Sequence, residues 1–219
     1  MHLSVRLQKI LQLIPEGTRV LADIGCDHGK LIVSAVSEGK AEKGIGVDIS
    51  ENSLQKAVAL AEEINLSDKI RFIEGDGLSH LQDVDIDVCV IAGLGGNEIV
   101  KILSCDNKVK RFILCPHQDA HVVRAFMNDN FLTAIKDFIV KDADKFYPII
   151  VAQKGNKTYS SYELYLGKND PNTDDFVKKN EKRLLYLQNI VQHAEEYSRL
   201  TEEIKKEYEI LVQWQKLRK

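Results

Sequence analysis

The chain has no apolar run approaching the ~18 residues that a membrane-spanning helix needs, and this excludes a span anywhere in its 219 residues. It is short of cysteine: Cys26, Cys89, Cys105 and Cys115 follow no framework spacing, and three of them fall in or beside expected strands. That pattern excludes a disulfide scaffold and suits reduced thiols in a cytoplasmic protein. Excess positive charge is also missing. The net charge of −3 excludes a general polycation, though a local basic face can still meet nucleic acid. Aromatic residues that could stack unpaired bases are few, at 7%. After Gly167 and Pro171 there is no further glycine or proline, so the last fifty or so residues have few natural breaks.

What is present is a globular composition, 44% hydrophobic and 29% charged, enough for one medium domain with a modest appendage. Residues 1–14 lack the unbroken apolar stretch and small-residue cleavage site of an export signal. They read as an amphipathic helix with Leu3, Leu7, Ile10, Leu11 and Ile14 on one face. Strands are then expected at 19–24, 44–49, 69–76, 84–94 and 111–116. A helix over 29–39 ends at Gly39, and another follows the candidate caps Ser50 and Asn52. Apolar strands separated by helices predict a parallel sheet covered on both faces. Residues 133–155 hold two β-rich runs joined by a short polar stretch, which predicts an antiparallel hairpin, and 161–167 reads as a further extended segment.

From Asp170 the periodicity is helical, with Leu187, Ile190, Ala194, Tyr197, Thr201, Ile204, Tyr208 and Leu211 spaced as in a coiled-coil seam. One helix over 174–218 would be about 66 Å long, so a hairpin bending near Glu195–Thr201, with Ser198 as a candidate cap, is the preferred reading. The expected division is a catalytic domain over 1–167 and a helical hairpin over 168–219.

The chemistry concentrates in "DIGCDHG", residues 23–29, at the end of the first strand. In open parallel sheets ligands bind beyond the carboxyl ends of the strands. A dinucleotide would bring a pyrophosphate to this loop, where each approach to a carboxylate at ~4 Å costs about 4 kcal/mol at an effective dielectric near 20. S-adenosylmethionine has no phosphate and carries an ammonium and a sulfonium, which the carboxylates attract. Asp48, nineteen residues after Gly29, can accept both ribose hydroxyls, with Ile49 beside it. Asp76 can accept from the adenine amino group while Gly77 admits the backbone. "IAGLGG", residues 91–96, offers small residues (Ala92, Gly93, Gly95, Gly96) with room for a planar group against the methyl. The cofactor-binding candidates are therefore Asp23, Gly25, Cys26, Asp48, Ile49, Asp76, Gly77, Ala92 and Gly93. A NAD-dependent dehydrogenase fits the acid-lined loop poorly.

"LADIGCDHGKL", "GVDIS", "EGDGL" and the late hairpin resemble class I S-adenosylmethionine-dependent methyltransferases, α/β proteins with a Rossmann-like seven-stranded sheet. More narrowly, "LSVRLQ", "ADIGCDHGKL", "IAGLGG", "LCPH" and a helical tail resemble the bacterial tRNA (adenine-22-N1)-methyltransferase family. Gly29-Lys30 stands where that family often carries an aromatic residue, and His117 where it often has asparagine. The resemblance implies methyl transfer to N1 of an adenine in tRNA, with the tail's antiparallel helices helping to hold the tRNA. N1 has a free lone pair once unpaired, so positioning rather than a strong base is required. Asp27 is the candidate acceptor from the exocyclic amine, with His28 orienting it or the base; Asp27 can alternatively bind the cofactor's ammonium group. Asn97 can hydrogen-bond the base or cap the next helix. Arg6 can reach over the site, bind a phosphate, or be an ordinary surface arginine. The RNA-contact candidates are Arg6, Lys30, Gly95, Gly96, Asn97, His117, Lys178, Lys179, Lys182 and Arg183. Cys26-Asp27-His28 and Cys115-Pro116-His117 form two Cys-x-His pairs. With one strand between theirs they would stand ~10 Å apart at strand spacings near 4.8 Å, too far for one zinc ion, and no metal is expected. A monomer with tRNA as partner, and neither DNA nor membrane, is the expectation. The competing readings are a methyltransferase for a small molecule or protein, whose tail would dimerise it, and a non-catalytic cofactor-binding module.

Overall fold

The computed structural model describes residues 2–168, 173–193 and 200–218. Ser4 opens the first helix, α1 (Val5–Leu13), by accepting from the Leu7 N–H. Leu3, Ile10, Leu11 and Ile14 are buried, so the expected apolar stripe is the one that packs. Strand β1 (Thr18–Ile24), helix α2 (Lys30–Ser37), β2 (Ala41–Asp48), α3 (Glu51–Glu63) and β3 (Ile70–Glu74) follow as one alternating half. Gly39 takes φ +72 just beyond α2, where the Lys40 N–H reaches back to the Ala35 carbonyl and an L side chain would be strained. Of the two candidate caps for α3, Ser50 holds the position and accepts from the Ser53 N–H. The second half is β4 (Asp85–Ala92), α4 (Gly96–Leu103), β5 (Lys108–Cys115), α5 (Ala120–Asp129), β6 (Leu132–Asp142) and β7 (Lys145–Lys154).

The seven strands form one sheet in the order β3-β2-β1-β4-β5-β7-β6. The first five are parallel, β7 runs antiparallel to β5, and β6 and β7 make the expected hairpin. Because β4 adds on the far side of β1 from β2, strand order reverses there, and the carboxyl ends of β1 and β4 diverge around a crevice. Both sheet faces are covered by apolar side chains: Ile10, Leu31, Ile32 and Val36 belong to one core, Ile99, Ile102, Val123 and Met127 to the other.

Residues 161–167 are not extended. They form helix α6 (Ser161–Leu166), because Ser160 and Glu163 close a reciprocal capping box that starts a helical turn. Arg124, fully buried on α5, makes two hydrogen bonds to Asp137 of β6, at 2.9 and 3.1 Å, and donates to the Leu164 and Tyr165 carbonyls. Tyr159 donates to the same carboxylate at 2.9 Å. This buried network fastens the segment leading into the tail onto the sheet's edge.

The tail consists of α7 (Asp174–His193) and α8 (Glu202–Leu217). Arg183 pairs with Glu207 and Arg218 with Glu181, the order of an antiparallel pair. Thr201 caps α8 by accepting from the Ile204 N–H. Ala194, Tyr197 and Ser198 lie outside the described residues, as does the expected bend near Glu195–Thr201 up to residue 199. Leu187 and Leu211 of the expected seam are buried, joined by Phe176, Leu184, Ile210 and Trp214, and this cluster also takes Ile139 and Leu166 from the sheet and α6. The two helices are therefore seated on the body of the protein through a shared apolar core.

Candidate active site

The loop after β1 bends across the end of β2. The Gly25 and Cys26 N–H groups both donate to the Val47 carbonyl, at 2.8 and 3.1 Å. The bend requires positive φ at Gly25, Asp27 and Gly29, at +72°, +49° and +68°. At Gly29 a Cβ would also come within 2.7 Å of the Ala57 Cβ. The close approach of α2 to α3 thus calls for a glycine at this position.

Asp48, at the end of β2, ties this loop down. One of its oxygens accepts from the Asp27 N–H and the other from the Ser50 N–H, both at 2.9 Å. Asp23 lies behind it, 4% exposed. Burial, and secondly the Asp48 charge, push the Asp23 carboxyl up from 3.8 to about 7. The same burial and the Asp23 and Asp48 charges push the Cys26 thiol far up, so it serves as an inert packing group. Asp27 is outermost, its side chain 73% exposed and 3.5 Å from His28 Nε2. Ser53 Oγ donates to it at 3.2 Å, and the Lys56 ammonium stands 3.3 Å from the same histidine nitrogen.

Beyond β3, Asp76 accepts a 2.6 Å hydrogen bond from Lys101 of α4, a pair open to solvent on both sides. Gly77 takes φ +68. At the end of β4, Gly93 takes φ +85 and its N–H donates to the Cys115 carbonyl at 3.2 Å. His117 Nδ1 stands 3.1 Å from the Gly93 carbonyl. The Gly96 N–H donates to the Gln118 carbonyl, and a Cβ there would collide with the Asp119 carbonyl, so this glycine lets the loops after β4 and β5 touch. Asn97 does not cap α4: it lies inside the helix, exposed, while Glu98 accepts from the Gly95 N–H at the cap position.

Together these elements enclose a cavity of about 760 Å³, within the range of small-molecule sites. Of the expected site residues, Arg6, Asp23, Gly25, Cys26, Asp27, His28, Lys30, Asp48, Ile49, Asp76, Gly77, Ala92 and Gly93 line it. Arg6 is no ordinary surface arginine. Its guanidinium lies 4.7 Å from the Tyr147 ring centre and its Nη1 3.8 Å from where Gly93 would carry a Cβ. Its Nε is buried without a hydrogen-bond partner. Lys101 and Glu98 also line the cavity and have no motif of their own. The helical spacing of α4 puts both on its first two turns, the only signal the sequence held.

Gly95, Gly96, Asn97 and His117 do not line the cavity, and neither do the four tail cations. Lys178 pairs with Asp174 at 3.3 Å, and Lys182 donates to the Asp144 carbonyl at 3.3 Å; both are exposed. Arg183 makes two hydrogen bonds to Glu207, at 2.8 and 2.6 Å, and so holds α7 to α8. Lys179 is partly buried, and loss of hydration, reinforced by the Arg124 charge, pulls its ammonium down to about 8. Neither Cys-x-His pair belongs to the one group of three potential ligand side chains that converges among the described residues, which is Asp119, His121 and Glu203.

A parallel sheet with an acid-lined cavity at its reversal point and a terminal hairpin defines a methyltransferase domain, and residues 3–150 match the family described as "Methyltransferase domain". The chain is 32% identical over 173 residues to the tRNA (adenine(22)-N(1))-methyltransferase of Bacillus subtilis (strain 168), covering 76% of this chain and 72% of that protein. It belongs to that family. Its fold superposes on the crystal structure of the B. subtilis m1A22 tRNA methyltransferase with a TM-score of 0.82 at 29% identity, covering 99% of this chain and 97% of the other. A Streptococcus agalactiae protein of the NADB-Rossmann superfamily gives 0.89 at 26% identity, covering 98% and 97%. Both likenesses extend over the tail as well as the sheet.

Proposed function

We propose that the chain transfers the methyl group of S-adenosyl-L-methionine to N1 of adenine 22 in tRNA. Family membership supports the reaction. The observation that carries it in this chain is that three carboxylates at or just beyond the carboxyl ends of three strands, Asp23, Asp48 and Asp76, line one cavity. That donor set fits the methyl donor: acceptors stand where hydroxyls, an adenine amino group and positive charges need them, and the glycine turn leaves no Cβ in the way. When bound, the donor supplies a methyl group on a cationic sulfur; the N1 lone pair forms the new N–C bond and the C–S electron pair stays on sulfur.

The chain's own residues hold and orient. Asp48, fixed by two backbone N–H groups, accepts the ribose hydroxyls. Asp76 turns from Lys101 to the adenine amino group. Asp23 places negative charge beneath the donor's cationic end. No base needs to remove a proton from N1, so catalysis rests on alignment and exclusion of water. The adenine enters unpaired over Gly93, between Arg6 and His117. Asp27 accepts from its exocyclic amine and stabilises the positive charge of the methylated base; His28 is the positioning residue. The tail, 168–219, serves as a tRNA-holding unit through Lys178 and Lys182, because Lys179 and Arg183 are engaged within the protein. The protein acts as a cytoplasmic monomer without a DNA partner.

Incubation of unmodified tRNA with isotopically labelled cofactor, followed by nucleoside mass spectrometry, tests the reaction. Label in 1-methyladenosine, absent when adenine 22 is replaced by guanine, is expected; label in any other nucleoside overturns it. For Asp27→Ala the expected result is unchanged cofactor affinity with turnover lowered by 10²-fold or more, on the order of one lost transition-state donor or acceptor. Lost cofactor affinity instead assigns Asp27 to the ammonium group.

A further inference from the structure

A second cluster of chemically active side chains lies away from the cofactor cavity, where the tail meets the loop after β5. Asp119, His121 and Glu203 present one ligand atom each, and all three atoms fall within 4.8 Å of one another. Two come from the start of α5 and one from the first turn of α8, so the group bridges the sheet-bearing body and the tail. The His121 ring stacks on Tyr165 at 5.0 Å and 4°, and its Nε2 stands 2.6 Å from Glu203. Asp119 precedes α5 at φ +54 and makes no side-chain cap hydrogen bond there. Its carboxylate lies within 4.8 Å of the Glu203 ligand atom instead, a like-charge approach that the Arg183 guanidinium offsets in part.

Charges of both signs surround the group. Arg183, which interacts with Asp119, is held by Glu207 through two hydrogen bonds, and the Lys206 ammonium lies 5.9 Å from the Tyr165 ring centre.

We propose that Asp119, His121 and Glu203 form a site for a divalent first-row transition-metal ion that clamps the tail to the body. One imidazole and two carboxylates are a mixed nitrogen–oxygen set, which suits zinc, cobalt, nickel or manganese better than calcium or magnesium. At bond lengths near 2.1 Å, two donors on one ion stand no more than about 4.2 Å apart, so small side-chain rotations close the group onto a cation. Water completes the coordination shell, because three protein ligands leave positions open. The site involves none of the residues assigned to methyl transfer, and its fate is independent of that reading.

The test is calorimetric titration of the untagged, chelator-treated full chain with zinc chloride, repeated for Asp119→Asn, His121→Ala and Glu203→Gln. One equivalent bound at micromolar concentration is expected, with affinity at least tenfold weaker in each variant. Glu203 is 58% exposed at its side chain, so Glu203→Gln folds normally and is checked by an unchanged thermal transition without metal. Absence of one-equivalent binding, or equal affinity in all four proteins, overturns the proposal. Cobalt(II) provides a second readout: an intense near-ultraviolet thiolate band would place the ion on a cysteine and overturn it as well.

Discussion

Asp23→Asn probes the charge at the heart of the cavity. The substitution keeps shape and volume but removes a carboxyl that folding carries from 3.8 to about 7. A raised carboxyl means that the folded state holds a proton that the unfolded chain gives up. Its favourable contribution is therefore complete below about pH 3.8 and is lost as pH rises through about 7. At about 1.4 kcal/mol per pH unit, the interval amounts to on the order of 4 kcal/mol. Asp23→Asn should gain stability relative to the parent by up to that amount between pH 4 and 8, with the difference level above. For a chain of this size about 4 kcal/mol corresponds to roughly 8–16 °C in Tm. Cofactor binding adds a second signature. Binding that needs the ionised carboxylate should tighten about tenfold from pH 6 to 8 in the parent, as the ionised fraction rises from about 0.1 to about 0.9. In the variant binding should be weaker and independent of pH over that range. Parallel urea titrations and cofactor titrations at five pH values measure both. A stability difference that does not change with pH would refute the reasoning, because a buried carboxyl beside Asp48 must then be ionising as it does in water.

Gly29→Ala should lose about 2–4 kcal/mol, combining the strain of positive φ with overpacking against Ala57. Urea denaturation measures it, and a loss under about 0.5 kcal/mol would contradict the close approach of α2 and α3. Reversing Lys178 and Lys182 to glutamate together should flatten the salt dependence of tRNA affinity by about 1.4–1.8 in log–log slope, two phosphate contacts' worth, while leaving cofactor affinity unchanged. Filter binding from low to moderate salt checks this, and an unaltered slope would remove the tail's outer face from the RNA interface. Charge reversal is preferable to cutting away the tail, which would uncover Ile139 and Leu166.

The sheet was legible because its strands are apolar, short and separated by glycine and cap residues, and the acids at their ends follow in the same order as the strands. Most of the acid-lined part of the cavity followed from that alone. The errors have physical causes. "SYELYL" alternates like a strand over six residues, yet the Ser160–Glu163 capping box decides the local structure, and a period of two cannot be distinguished over so short a span. In the tail, the choice of seam among several apolar positions depends on what lies beneath it: Phe176, Leu184 and Trp214 are buried because α7 and α8 rest on Ile139 and Leu166. The salt bridges Lys101–Asp76, Arg183–Glu207 and Arg124–Asp137 join residues from different elements, and no local pattern encodes such a pairing. Candidate RNA contacts chosen by charge alone could not reveal that Arg183 is committed to α8 and Lys179 partly buried.

The central claim is that the cavity recruits a cation and rejects a pyrophosphate. Calorimetric titration of the full chain with S-adenosyl-L-methionine and, separately, with NAD+ compares the two most directly. Saturable one-to-one binding of the sulfonium compound and no detectable heat with the dinucleotide is the predicted result. Tight binding of NAD+ with none of the methyl donor would contradict it.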